Sequence, residues 1–162
     1  MIDAARLREL LSYEPETGAF VWLVRPSNRT SVGCEAGCIG QRDGYRVIGI
    51  EGTLYKASRL AWLYMTGEWP SHYVDHINGR TFDDRWANLR SASHAENLRN
   101  RGAQKNNTSG FKGVSQYASG KWCARVTRMG QTFRKNGFNT AEAAAAAYAR
   151  MAKQVHGEFA RT

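Results

Sequence analysis

The sequence predicts an α+β protein in two parts, and three observations carry that expectation. A strand–loop–strand–helix pattern runs from Val74 to Asn97. Three short strand patterns, parted by Ala118-Ser119-Gly120 and Met129-Gly130, lead into an alanine-rich helical stretch that ends near His156. Positive charge is confined to the last third: from Arg99 on, twelve Lys and Arg face only Glu142 and Glu158, whereas the first 98 residues hold eleven basic against twelve acidic residues. A chain of 162 residues forms one ordinary domain or two small ones with modest cores. The expected division is 1–98, a linker over 99–109, and 110–162.

Each element has a local reason. Asp3 caps a first short helix with Leu7, Leu10 and Leu11 on one face. Glu14-Pro15-Glu16-Thr17-Gly18 is turn chemistry, residues 19–24 read as a strand, and residues 33–40 read as loop. Residues 45–50 and 53–55, joined by Glu51-Gly52, form a hairpin pattern. Residues 59–66 carry Leu60, Trp62, Leu63 and Met65 at helical spacing and close at Gly67 and Pro70, so these aromatics read as core. Residues 74–77 and 89–92 read as paired strands. Ser93-His94-Ala95-Glu96 fits a capping box, which starts a helix at Ser93 and presents Asn97 from its first turns. Further on, residues 113–117, 121–128 and 131–138 are expected strands. Thr140 then caps a helix over 141–156, whose alanine face lets it lie close against a sheet.

Cys34, Cys38 and Cys123 are an odd, sparse set that builds no disulfide framework. Cys34 and Cys38 have no second Cys/His pair at zinc-finger spacing, so free thiols in a reducing cytoplasm are expected and structural zinc is not. No apolar stretch approaches the ~18 residues of a membrane span, and the N-terminus lacks a basic-then-apolar leader. A cytoplasmic chain without a membrane partner is the expectation.

The chemistry concentrates in Val74-Asp75-His76-Ile77-Asn78-Gly79, with Asn88 and Asn97 beyond it. Hydrolysing a phosphodiester requires that water lose a proton as it attacks and that the departing oxygen meet positive charge. Histidine titrates near neutrality, which makes His76 the candidate proton acceptor. A carboxylate and an amide oxygen suit Mg²⁺, or another divalent ion such as Mn²⁺, so Asp75 and Asn97 are the candidate ligands. Neighbours on a strand point to opposite faces, so Asp75 and His76 would flank a bound phosphate. Asn88, in the loop before the second strand, can hydrogen-bond the imidazole and orient it. His72, His94 and His156 read as surface or packing residues. Arg85 and Arg90 can touch phosphate or pair with Asp83 or Asp84.

From about Tyr73 to Asn100 the chain resembles the HNH endonucleases, on DHING, FDDRWANLR and HAENLRN. The resemblance implies a ββα-metal nuclease fold on a small mixed scaffold. It also implies His76 as general base, Asn88 as its positioner, and Asp75 and Asn97 as metal ligands. The family often has Asp-Asn-Arg where this chain has Asp83-Asp84-Arg85, and His-Arg-Leu where Ser58 precedes Arg59-Leu60. In this scheme neither position carries the core chemistry.

From about Ser109 on, SGFKGV, GKWCARV, GFNTAEAAAAAYARMA and HGEFA resemble the ERF-type domain of the APETALA family. This implies a three-stranded antiparallel sheet packed on one helix, with the sheet in the major groove of duplex DNA. Alternation turns Trp122, Ala124 and Val126 inward and Cys123, Arg125 and Thr127 outward. The family's pattern adds Lys112, Ser115, Tyr117, Thr132 and Arg134 to the outward set. Lys121, Arg128 and Lys135 would contact phosphate. Ser115, Tyr117 and Lys135-Asn136-Gly137 depart from the plant pattern, so plant target sites do not carry over.

The expected function is a phage-type or homing-type DNA endonuclease, nicking as a monomer, with no small-molecule substrate. Two alternatives stay open: a DNA-binding regulator with an inactive nuclease site, and a nonspecific colicin-like nuclease.

Overall fold

In the computed structural model, residues 1–100 and 107–160 are described. The chain divides into two compact units, Met1–His94 and Ala95–Thr162. The expected boundary at 98 thus falls inside a helix, and much of the linker expected over 99–109 lies outside the described residues. Among the described residues, no helix is long and apolar enough to cross a membrane.

The first unit begins with α1 (Ala4–Leu10), where Asp3 Oδ1 accepts the Arg6 amide at 2.7 Å. The chain then turns directly into β1 (Leu11–Glu14), which pairs antiparallel with β2 (Ala19–Trp22). Leu11 is therefore the first strand residue and not the last apolar residue of the helix. β3 (Cys38–Ile39), β4 (Arg46–Ile50) and β5 (Thr53–Lys56) form an antiparallel sheet in that order. Glu51 and Gly52 make the two-residue turn between β4 and β5, both at positive φ (49° and 78°), as a hairpin turn matched to the strand twist demands. α2 (Ala57–Thr66) packs on α1, β4, β5 and the next strand, β6 (Tyr73–His76). The fully buried Leu7, Leu11, Phe20, Ile48, Leu60 and Leu63 form the heart of this core. Each large apolar side chain so buried contributes ~1.5–3 kcal/mol. β6 pairs with β7 (Leu89–Ala92), and α3 (His94–Arg99) begins at the residue after Ser93, where a serine cap puts it.

In the second unit β8 (Val114–Gln116), β9 (Trp122–Arg128) and β10 (Gln131–Phe138) form an antiparallel sheet with β9 central. α4 (Ala141–His156) lies along it, its first turn capped by Thr140 Oγ1 accepting the Ala143 amide at 3.2 Å. Val114, Ala124 and Val126 meet Ala144, Ala147, Tyr148, Met151 and Ala152 in the core, with Trp122 half-buried at its edge. Alanine methyls bury little area each, so stability here rests on close approach of helix and sheet rather than on bulk.

Candidate active site

Antiparallel register sets Asp75 opposite Arg90 and His76 opposite Leu89. Between the two strands the chain closes a tight loop, in which the Gly79 amide reaches the His76 carbonyl at 2.8 Å and the Ile77 amide reaches the Asn88 carbonyl at 2.9 Å. Three of the four expected site residues, Asp75, His76 and Asn88, belong to this strand pair and its loop, and all three are buried. Asn97 lies on α3, half-buried, and falls in the second unit.

The imidazole of His76 is held by a partner the sequence reading had set aside. Its Nε2 lies 2.9 Å from Asp84 Oδ1, and the two side chains are 3% and 2% exposed. Among the described residues, Asp84 Oδ2 has no hydrogen-bond partner. The Tyr13 hydroxyl donates to the Asp84 carbonyl at 2.7 Å, and burial, with the Asp84 carboxylate next, holds that hydroxyl's pKa above its ordinary range. The Tyr45 ring sits 5.8 Å from the imidazole.

Asn88 does other work from the expected one. It ends a 3-10 turn, Trp86–Asn88, and its Oδ1 accepts the Asn78 amide at 3.0 Å. Its Nδ2 donates to Asn78 Oδ1 at 3.1 Å and to the Asp83 carbonyl at 2.7 Å. These bonds staple the loop shut, in place of the bond to the imidazole that its position suggested. Arg90 pairs with Asp75 and not with Asp83 or Asp84: Nε and Nη2 both donate to Asp75 Oδ2, at 3.0 and 2.9 Å. Arg85 forks onto Asp83, with both bonds 2.7 Å. That fork, opposed by burial and helped by Asn78, lowers the Asp83 pKa to about 2. His94 is exposed and touches the Tyr73 ring; His72 is exposed, and its carbonyl accepts from Arg59.

Among the described residues, no group of three or more His, Cys, Asp and Glu could hold a metal ion. Of the expected ligands, Asp75 lies in the first unit with its Oδ2 on Arg90, and Asn97 lies in the second. Carboxylate and amide oxygens are hard donors, and their chemistry fits a small divalent cation that keeps most of its water. The contacts of Asp84 with His76 and of Arg90 with Asp75 are the ones that sequence reasoning missed. A signal existed for the first: Asp83 and Asp84 are adjacent carboxylates beside a single arginine, which leaves one carboxylate to find another donor.

In the second unit, one sheet face is turned away from α4. Ser115 stands opposite Cys123, Thr127 opposite Thr132, and Arg125 opposite Arg134. All but Cys123 are exposed; Cys123 is buried, its Sγ 3.1 Å from Ser115 Oγ, which corrects the exposure expected from alternation. Tyr117, also exposed, donates to Asn136 Oδ1 at 2.8 Å. Arg128 Nη1 reaches the Val155 carbonyl at 2.6 Å, which ties it to α4, and Lys121 Nζ donates to Asn139 Oδ1. Lys135 is exposed but pairs with Ala124, a residue of the helix side; Lys112 is half-buried.

Residues 55–99 match the family model of the HNH endonucleases, a span that includes Asp75, His76, Asp84, Asn88 and Asn97. The chain is 37% identical over 112 residues to Protein 3.8 of Escherichia phage T7, covering 66% of this chain and 92% of that one. It is 32% identical over 120 residues to an HNH endonuclease of Acanthamoeba polyphaga mimivirus, covering 74% of this chain and 62% of that one. No solved structure matches it. With its strand pair, loop and following helix inside the matched span and relatives in phage and virus, the chain belongs to the HNH endonuclease family.

Proposed function

We propose that the chain is a metal-dependent endonuclease that hydrolyses phosphodiesters of duplex DNA, with β6, β7 and α3 as a ββα-metal core. The observation that carries this reading is the buried pair of His76, on β6, and Asp84, in the loop that follows, within the segment that matches the family. His76 takes the proton from the attacking water, as a general base. A divalent ion, Mg²⁺ or Mn²⁺, held by Asp75 and Asn97 would supply the positive charge that the departing 3′ oxygen requires. Asn88 keeps the β6–β7 loop closed. One such site cuts one strand, so a monomer nicks.

The β8–β10 face is proposed as the docking surface, in the manner of an ERF-type sheet. Its support is a charge arrangement: Arg125 and Arg134 face one another across the strands, and like charges so placed repel unless an anion joins them. Within this face Ser115, Tyr117, Thr127 and Thr132 offer hydrogen bonds to bases or phosphates, while Lys112, Lys121 and Lys135 add charge at its margins.

Supercoiled plasmid incubated with Mg²⁺, with and without chelator, tests the reading. Nicked circles that chelator prevents, and that His76→Ala no longer produces, are the expected result. A second reading, a DNA-binding regulator, is favoured by the closure of the site: His76 and Asp75 are 3% and 5% exposed and tied to Asp84 and Arg90. Protein that binds the plasmid and never cuts it would establish the regulator.

A further inference from the structure

We propose that Asp84 is the positioning residue of His76, and that the N-terminal hairpin holds Asp84 in place. This rests on the reading of His76 as general base. The amide of Asn88, placed near the histidine by the sequence, is committed to Asn78 and Asp83. Asp84 Oδ1 meets the imidazole, at 2.9 Å from Nε2. A carboxylate oxygen accepts, so the proton shared with Asp84 sits on Nε2 and the basic lone pair of the ring falls on Nδ1. A buried carboxylate with one oxygen unpartnered is a costly choice for a loop that needs only to close. Fixing one tautomer of the base gives that choice a purpose.

Asp84 is in turn gripped from behind by a distant part of the chain. Tyr13, on β1, donates to its carbonyl at 2.7 Å. Two residues on, the Trp86 amide donates to the Pro15 carbonyl at 2.9 Å. Gly18 completes the contact, because a Cβ there would lie 2.5 Å from both the Asp84 carbonyl carbon and the Arg85 nitrogen. The tip of the β1–β2 hairpin thus sets the backbone that aims the carboxylate. Among the described residues, the Tyr45 ring lies 5.8 Å from the imidazole, and Asp75 and Asp83, next in the chain to the two members of the pair, are themselves paired with Arg90 and Arg85.

Nitrogen-15 NMR of the histidine side chains in the metal-free protein, at alkaline pH, reads the tautomer without reference to cutting. The wild-type protein should show His76 protonated on Nε2; protonation on Nδ1 overturns the proposal. Asp84→Ala should give a tautomer mixture and lower kcat on plasmid on the order of 10²-fold or more, with KM little changed. Asp84→Asn, which keeps the shape and one accepting oxygen, should recover part of that loss. An Asp84→Ala protein with wild-type tautomer and kcat also overturns it. If Asp84→Ala does not fold, the wild-type tautomer decides by itself. A His76→Ala protein that cuts normally removes His76 as the base, and that failure is separate from the NMR result.

Discussion

Arg90 stands directly across the β6–β7 ladder from Asp75 and places two guanidinium nitrogens on the same carboxylate oxygen, at 3.0 and 2.9 Å. The two side chains are 12% and 5% exposed, so the pair is buried from solvent. Taking one partner from a buried pair costs roughly 3–5 kcal/mol, because the remaining charge is left without compensation. Arg90→Met should therefore lower the thermal midpoint markedly. If Asp75 is a metal ligand, Mn²⁺ should restore part of that loss and shift the variant more than it shifts wild type. Melts with and without Mn²⁺ measure this, and equal shifts would separate Asp75 from metal binding.

What could be read in advance was mostly local. The Asp3 cap, the Glu51-Gly52 and Met129-Gly130 turns, and the capped alanine helix all depend on residues within a few positions of one another. β1 was hidden because Leu7, Leu10 and Leu11 continue one helical stripe, and only the pairing of Leu11 with Trp22 ends it. β3 was hidden because two residues among glycines carry no period; its partner Val47 makes it a strand. The site divides in the same way. Asp75 and His76 declare themselves as adjacent titratable residues, but Tyr13 and Asp84 meet across 71 positions, a distance that no local pattern spans. Asn88 was legible as important and misjudged in its contacts, since loop closure decides which groups its amide can reach.

The staple made by Asn88 should be measurable without any substrate. Its buried carboxamide makes three hydrogen bonds across the β6–β7 loop. At about 1 kcal/mol net for each, Asn88→Ala should lose roughly 2–3 kcal/mol in denaturant unfolding. Hydrogen exchange at the Asn78 amide should quicken more than exchange in the second unit, because that amide loses its acceptor. Unchanged exchange there would mean that the loop closes by other contacts.

Acid should expose the Asp83–Arg85 fork. The folded pKa of Asp83 is lowered to about 2, first by its bonds from Arg85, whereas an unfolded aspartate titrates near 3.9. The folded state therefore binds this proton less readily than the unfolded state. The stability it contributes is fully present above about pH 4 and drains away as pH falls through about 2. Arg85→Gln should bring the Asp83 titration, followed by carboxyl carbon NMR, back toward the ordinary range and weaken the pH dependence of unfolding in that window. A titration unaffected by the substitution would show that Asn78 and the backbone hold the carboxylate.

On the outer face of the second sheet, the cross-strand pair Arg125–Arg134 lets binding and stability be set against each other. If these guanidiniums meet DNA phosphates, each one lost should reduce the slope of log affinity against log salt by about 1. Arg125→Ala with Arg134→Ala should then weaken binding at low salt and flatten the slope by about 2. Arg150→Ala, an exposed charge on α4, should leave the slope alone. The double variant should also melt no lower than wild type without DNA, since it removes two like charges that face each other. A structural role for the pair reverses that last outcome. A fall in melting point with an unchanged salt slope would move the DNA-binding surface elsewhere.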